Sequence, residues 1–185
     1  MKKLVCFGDS ITAGETFEDG APRLTPRLRS ALKNWEVINA GVSGDTTRDA
    51  VARIDNDVLS YHPDAVAVLF GANDAASHKR IDLEEYKSNL TRIVTSVTPR
   101  KTILIAPSPV DENRAQNRTN ADLKMYRAAA EDVARLTGSR FIDLFSRMIA
   151  RPDYFEFLSD GLHFTESGYE FLSKLIIELF GNGAA

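Results

Sequence analysis

Lys3-Leu4-Val5-Cys6-Phe7-Gly8-Asp9-Ser10-Ile11-Thr12 is an apolar run that stops abruptly on a glycine, an aspartate and a serine. Four consecutive apolar residues without polar alternation predict a short strand buried on both faces, the pattern of a parallel sheet. The switch to small polar residues predicts a strand-to-helix turn with Ser10 in it. Cys6 is the only cysteine in the chain. Inside such a run it reads as a small buried hydrophobe, and its solitude excludes both an intramolecular disulfide and a cysteine-built metal site.

Four more apolar runs follow, at 36–40, 65–70, 102–106 and 141–144, with β-branched residues Val66, Val68, Ile103, Ile105 and Ile142. Helical patterns separate them at 22–33, 46–60, 83–97 and about 120–137, and in the second of these Ala50, Val51, Ile54, Val58 and Leu59 recur at helical spacing. Asp45 or Thr46 can cap its start. A final helix is capped by Thr165, carries the apolar stripe Tyr169, Leu172, Leu175, Ile176, Leu179 and Phe180, and meets stop signals at Gly181 and Gly183. Five strands alternating with helices predict an α/β fold, a three-layer α/β/α sandwich around a five-stranded parallel sheet. No repeat and no Pro/Gly linker divides the chain, so residues 1–185 read as one domain.

With 185 residues, 43% of them hydrophobic, the chain can bury a core without staples. Its 23 basic and 26 acidic residues give a net charge of −3. That balance excludes a strongly basic nucleic-acid binder. No segment approaches the ~20 apolar residues of a membrane span, and the apolar run after Met1-Lys2-Lys3 is too short for a signal peptide, so a cytoplasmic protein is expected.

Ligands of open parallel sheets gather at the carboxyl ends of the strands. The residues there are Ser10, then Gly41-Val42-Ser43-Gly44-Asp45, then Gly71-Ala72-Asn73-Asp74, then Pro107-Ser108-Pro109, then Ser159-Asp160-Gly161-Leu162-His163. Alone, Ser10 reads as a turn cap; as a nucleophile it needs a base. Of three histidines, His62 precedes Pro63 at the amino end of the third strand, on the wrong rim, and His78 lies beside Lys79 and Arg80 as a surface residue. His163 is on the right rim, and Asp160, three residues earlier, can orient its imidazole. Asn73, the backbone N–H of Gly41 and that of Ser10 can serve as oxyanion donors. Ser43 lacks a better base and reads as a turn residue. The loop 111–120, polar and rich in Asn and Arg, is the longest irregular piece and follows a strand, where such folds place binding loops.

Taken together, Gly8-Asp9-Ser10-Ile11-Thr12, Gly41-Val42-Ser43-Gly44-Asp45-Thr46-Thr47, Gly71-Ala72-Asn73-Asp74 and Asp160-Gly161-Leu162-His163 make the chain resemble the GDSL/SGNH hydrolases over almost its whole length. Ile11 stands where the family's name has leucine. The resemblance implies a flavodoxin-like sandwich, with Ser10 as nucleophile, His163 as base, Asp160 as its partner, and Ser10, Gly41 and Asn73 as the oxyanion hole. It implies no metal or cofactor and a small-molecule ester as substrate. The stretch 70–75, with 107–112 and 159–163, looks most like the isoamyl-acetate-hydrolase branch, which suggests short acyl chains. Val110 and Leu162 are expected to line a shallow acyl pocket. Carbohydrate O-deacetylation, thioester or lysophospholipid hydrolysis, and a non-catalytic binding module stand as the alternatives.

Overall fold

The computed structural model describes residues 1–181. Five strands, β1 (Lys2–Gly8), β2 (Trp35–Gly41), β3 (Ala65–Leu69), β4 (Thr102–Ile105) and β5 (Arg140–Ile142), form one parallel sheet in the order β2-β1-β3-β4-β5. The helices are α1 (Leu24–Ala31), α2 (Thr47–Asp57), α3 (Leu83–Val97), α4 (Asn120–Thr137), α5 (Leu144–Ile149) and α6 (Glu166–Gly181).

Strand periodicity assigns side chains to the two faces. Val5, Phe7, Val66 and Val68 point to a core shared with Ile54, Ile93, Val94, Tyr126 and Val133 of α2, α3 and α4. Leu4, Cys6, Ala65 and Ala67 point to a core shared with Leu28 of α1, Met148 of α5 and Tyr169, Leu172 and Ile176 of α6. Both faces of β1 are thus apolar because both are covered, which is why its sequence does not alternate. Cys6 is buried, and burial pushes its thiol up to about 12.

Local signals set the helix ends. Thr46 is the N-cap of α2, where the Asp49 carboxylate accepts from its backbone N–H at 2.9 Å. The side chain of Asp82 accepts from Glu85 N–H at the start of α3, and that of Thr119 from Asp122 N–H at the start of α4. At α6 the Thr165 hydroxyl accepts from Gly168 N–H at 3.3 Å, as the cap reading requires. One element differs from expectation. Leu144 is not the end of a strand but the first residue of α5, because Asp143 caps it, its carboxylate accepting from Ser146 N–H. Gly183 lies outside the described residues. Among the described residues no helix is long and apolar enough to cross a membrane.

Candidate active site

The strand order brings the carboxyl ends of β2, β1 and β3 side by side, and the three predicted loops leave the sheet together. After β1, the carbonyl of Asp9 accepts from Thr12 N–H and Ala13 N–H, winding the chain into one tight turn with Ser10 on its outer side. Gly8 is obligatory there: a Cβ would lie 2.2 Å from Thr12 Oγ1 and 2.8 Å from the Leu69 carbonyl. The Ser10 N–H has no hydrogen-bond partner among the described residues.

Ser10 Oγ lies 2.9 Å from His163 Nε2, and His163 Nδ1 lies 2.7 Å from Asp160 Oδ2. The acid reaches the base because the chain between them folds back on itself. Asp160 Oδ1 accepts from the backbone N–H groups of Leu162 and His163, and Ser159 N–H donates to the His163 carbonyl. Burial opposes ionisation of Asp160, but the His163 ring and those two N–H donors outweigh it and hold the carboxyl at about 2. Asp160 is therefore ionised at neutral pH and keeps the Nδ1 proton of His163 facing it, leaving Nε2 as acceptor toward Ser10.

Asn73 is nearly buried, 7% exposed, in the turn after β3. Its Nδ2 donates to the Asp45 carbonyl at 2.9 Å and lies 3.4 Å from Asp9 Oδ2. Its Oδ1 accepts from Arg118 Nη2 at 2.9 Å. The sequence did not single out Arg118; the only signal was its place in the polar loop after β4. Behind this group, burial pushes the carboxyls of Asp9 and Asp74 each up to about 6.

Two expected residues are placed otherwise. The Gly41 N–H is not open to a ligand: it donates to Asn39 Oδ1 at 2.9 Å. Its glycine serves packing, since a Cβ would lie 2.3 Å from Ala13 N and 2.6 Å from Thr12 C. Three residues on, Gly44, in the left-handed region at φ +85°, has an N–H with no partner among the described residues, and it adjoins the Asp45 carbonyl that holds Asn73. Val110 does not line a pocket. It is 0% exposed in the core between the sheet and α4, because Asn120 binds both its N–H and its carbonyl and turns the side chain inward. Leu162 is half-buried against the same core. His62 and His78 are exposed, and Ser43 is exposed without a hydrogen bond to any histidine among the described residues.

Beside His163 opens a cavity of about 610 Å³, lined by Phe17, Arg23, Phe164 and Tyr169, with Glu18, Asp19 and Glu166 also on its wall. It borders the base, not the Asn73 turn.

The family model of the GDSL-like lipase/acylhydrolase family matches residues 6–171. The human isoamyl acetate-hydrolyzing esterase 1 homolog is 33% identical over 196 residues, covering 92% of this chain and 77% of that protein. An acetylxylan esterase of Geobacillus stearothermophilus is 31% identical over 117 residues, covering 58% of this chain and 53% of that protein. The crystal structure of a lipase/acylhydrolase from Enterococcus faecalis superposes with a TM-score of 0.91 at 37% identity, over 97% of this chain and 95% of that one. This chain belongs to the GDSL-like lipase/acylhydrolase family, and it is a GDSL-type serine ester hydrolase.

Proposed function

We propose that the chain hydrolyses short-chain carboxylic esters through an acyl-enzyme on Ser10. The observation that carries this reading is the continuous hydrogen-bonded relay from Ser10 Oγ through His163 to Asp160 Oδ2. His163 Nε2 takes the Ser10 proton as Oγ attacks the ester carbonyl. The oxyanion forms against the N–H groups of Ser10 and Gly44 and the second hydrogen of Asn73 Nδ2, which has only the long Asp9 contact to give up. His163 then protonates the leaving alcohol, and water, activated by the same base, releases the acid and regenerates Ser10.

The proton that reaches the leaving oxygen comes from Nε2, so the leaving group lies next to His163. The cavity with Phe17, Arg23 and Tyr169 suits it in position and size. Its mix of aromatic, cationic and acidic groups favours an alcohol with both donors and acceptors over a plain hydrocarbon. The acyl side has less room: Val110 is sealed in the core, and the Asn73 turn is nearly closed. Two relatives carry an acetyl ester in their names, which agrees with a small acyl group. The test is a set of chromogenic esters of one alcohol, from acetyl to dodecanoyl, assayed with wild type and Ser10→Ala. The expected result is highest kcat/KM at acetyl to about hexanoyl, each CH₂ left unburied forgoing roughly 0.8 kcal/mol, with turnover lost by several orders of magnitude in Ser10→Ala. A dodecanoyl optimum refutes the acyl preference, and an active Ser10→Ala refutes the mechanism.

A further inference from the structure

We infer that Arg118 is a positioning residue for the reaction: it fixes and polarises the Asn73 amide that meets the oxyanion. The inference rests on the role proposed above for Asn73.

Nothing in the amide itself decides which end faces the substrate, since oxygen and nitrogen are nearly the same shape. Here two partners of opposite character decide it. The Asp45 carbonyl can only accept, and it takes a hydrogen from Nδ2. The Arg118 guanidinium can only donate, and it binds Oδ1. A flipped amide would set oxygen against the Asp45 carbonyl and nitrogen against a cation. Arg118 also pulls electron density toward Oδ1, which makes the Nδ2 hydrogens better donors. The charge itself stands one residue from the place where negative charge develops.

The guanidinium is itself held. Nε donates to the Ala72 carbonyl at 2.6 Å while Nη2 reaches Asn73, so one rigid fork grips two successive residues of the same turn. The backbone before it is tied there too: the Asn117 carbonyl accepts from Ser77 N–H at 2.9 Å, with Asn117 in the left-handed region at φ 63°. After it, Thr119 caps α4. Arg118 is half-buried, so the contact is partly shielded from water. The other arginine of the loop, Arg114, binds the Leu158 and Ser159 carbonyls instead, on the turn that carries Asp160 and His163. The loop after β4 thus grips both halves of the site, but only Arg118 touches the Asn73 amide.

The experiment is a double-mutant cycle of Arg118→Ala and Asn73→Ala, with Arg118→Lys alongside, reading kcat and KM on a short-chain ester and the melting temperature of each variant. Arg118→Ala is expected to lower kcat on the order of 10–100-fold, below the ~10²–10³ of a direct oxyanion donor, with KM changed less than about threefold. In the Asn73→Ala background the same substitution is expected to lower kcat by less than about threefold. Arg118→Lys keeps the charge but not the fork, and is expected to fall between wild type and Arg118→Ala. An undiminished Arg118→Ala effect in the Asn73→Ala background, or a change in KM alone, overturns the inference while leaving Asn73 its role. An Asn73→Ala variant with wild-type kcat overturns the reading of Asn73 beneath it. If Arg118→Ala melts below the assay temperature, Arg118→Lys, alone and with Asn73→Ala, decides by the same criterion.

Discussion

At Asp160, burial and hydrogen bonding pull in opposite directions, and hydrogen bonding wins: three donors hold the carboxyl at about 2. Its oxygens are divided between two tasks. Oδ1 holds the backbone of the turn through Leu162 and His163 N–H, and Oδ2 holds the ring. Asp160→Asn should therefore be worse than the loss of a charge. An amide that keeps oxygen on the backbone donors presents NH₂ to Nδ1, which stabilises the tautomer with the proton on Nε2 and removes the acceptor Ser10 needs. The expected outcome is a fall in kcat on the order of 10²–10⁴ with the fold intact by circular dichroism; a rate within tenfold of wild type would show that another group orients His163. For Asn73→Ala the expectation is a loss of about 10²–10³ in kcat with little change in KM, measured on the same ester. Ser10 and Asn73 could be set on one rim from the sequence because they follow β1 and β3, strands buried on both faces. Asp160 and His163 come after β5, α5 and a 3₁₀ turn, and only their spacing of three residues pointed to the contact between them. Gly41 was misread because two glycines share one loop, and only the path of Asn39 Oδ1 tells which N–H is occupied.

Among the elements, α6 shows packing overriding propensity. Gly168 lies in its first turn, and in an exposed helix Ala there would add about 1 kcal/mol. Here the added Cβ would lie 2.4 Å from the Phe157 carbonyl in the 3₁₀ turn Tyr154–Phe157, with Phe164 at 3.1 Å. Backbone cannot yield as a flexible side chain does, so Gly168→Ala should destabilise by ~1–3 kcal/mol and lower the melting temperature by several degrees. An equal or higher melting temperature would mean that α6 shifts freely, and with it the turn carrying His163. The helices at 83–97 and about 120–137 were legible from their helical pattern, and the structure adds the caps that set their starts, Asp82 and Thr119. The short α5 was not: three apolar residues, Phe141, Ile142 and Leu144, read as one strand, and only the geometry of Asp143 shows the cap between them. Val110 was misplaced for a similar reason, since the Pro-rich segment before it gives no sign that the chain turns its next side chain back into the core.

For the molecule as a whole, the two cores on either side of the sheet exclude water from the floor of the site, and two carboxyls sit in that floor. Burial raises both Asp9 and Asp74 from 3.8 to about 6. Between pH ~4 and ~6 the folded chain thus binds more protons at these groups than the unfolded chain, and their contribution to stability falls as pH rises. Asp160, held at about 2, works the other way, stabilising above pH ~4 and losing that contribution toward pH ~2. Asp74 Oδ1 accepts from Thr47 while Oδ2 has no partner among the described residues, so an amide can keep the Thr47 bonds. Asp74→Asn should then gain on wild type as pH rises from 4 to 7, by on the order of 2 kcal/mol in urea unfolding. A gap that does not change with pH would show that Asp74 titrates as an ordinary carboxylate.

The central claim is that Ser10, and no other residue, becomes covalently acylated. A small alkyl fluorophosphonate tests it without knowledge of the natural ester: an activated hydroxyl attacks phosphorus, fluoride leaves, and a stable adduct remains. Intact-protein mass spectrometry of the treated chain, followed by peptide mapping, should find one adduct, on Ser10, forming in step with loss of esterase activity and absent from Ser10→Ala. A chain that stays active and unmodified, or one labelled at Ser43 instead, would contradict the account.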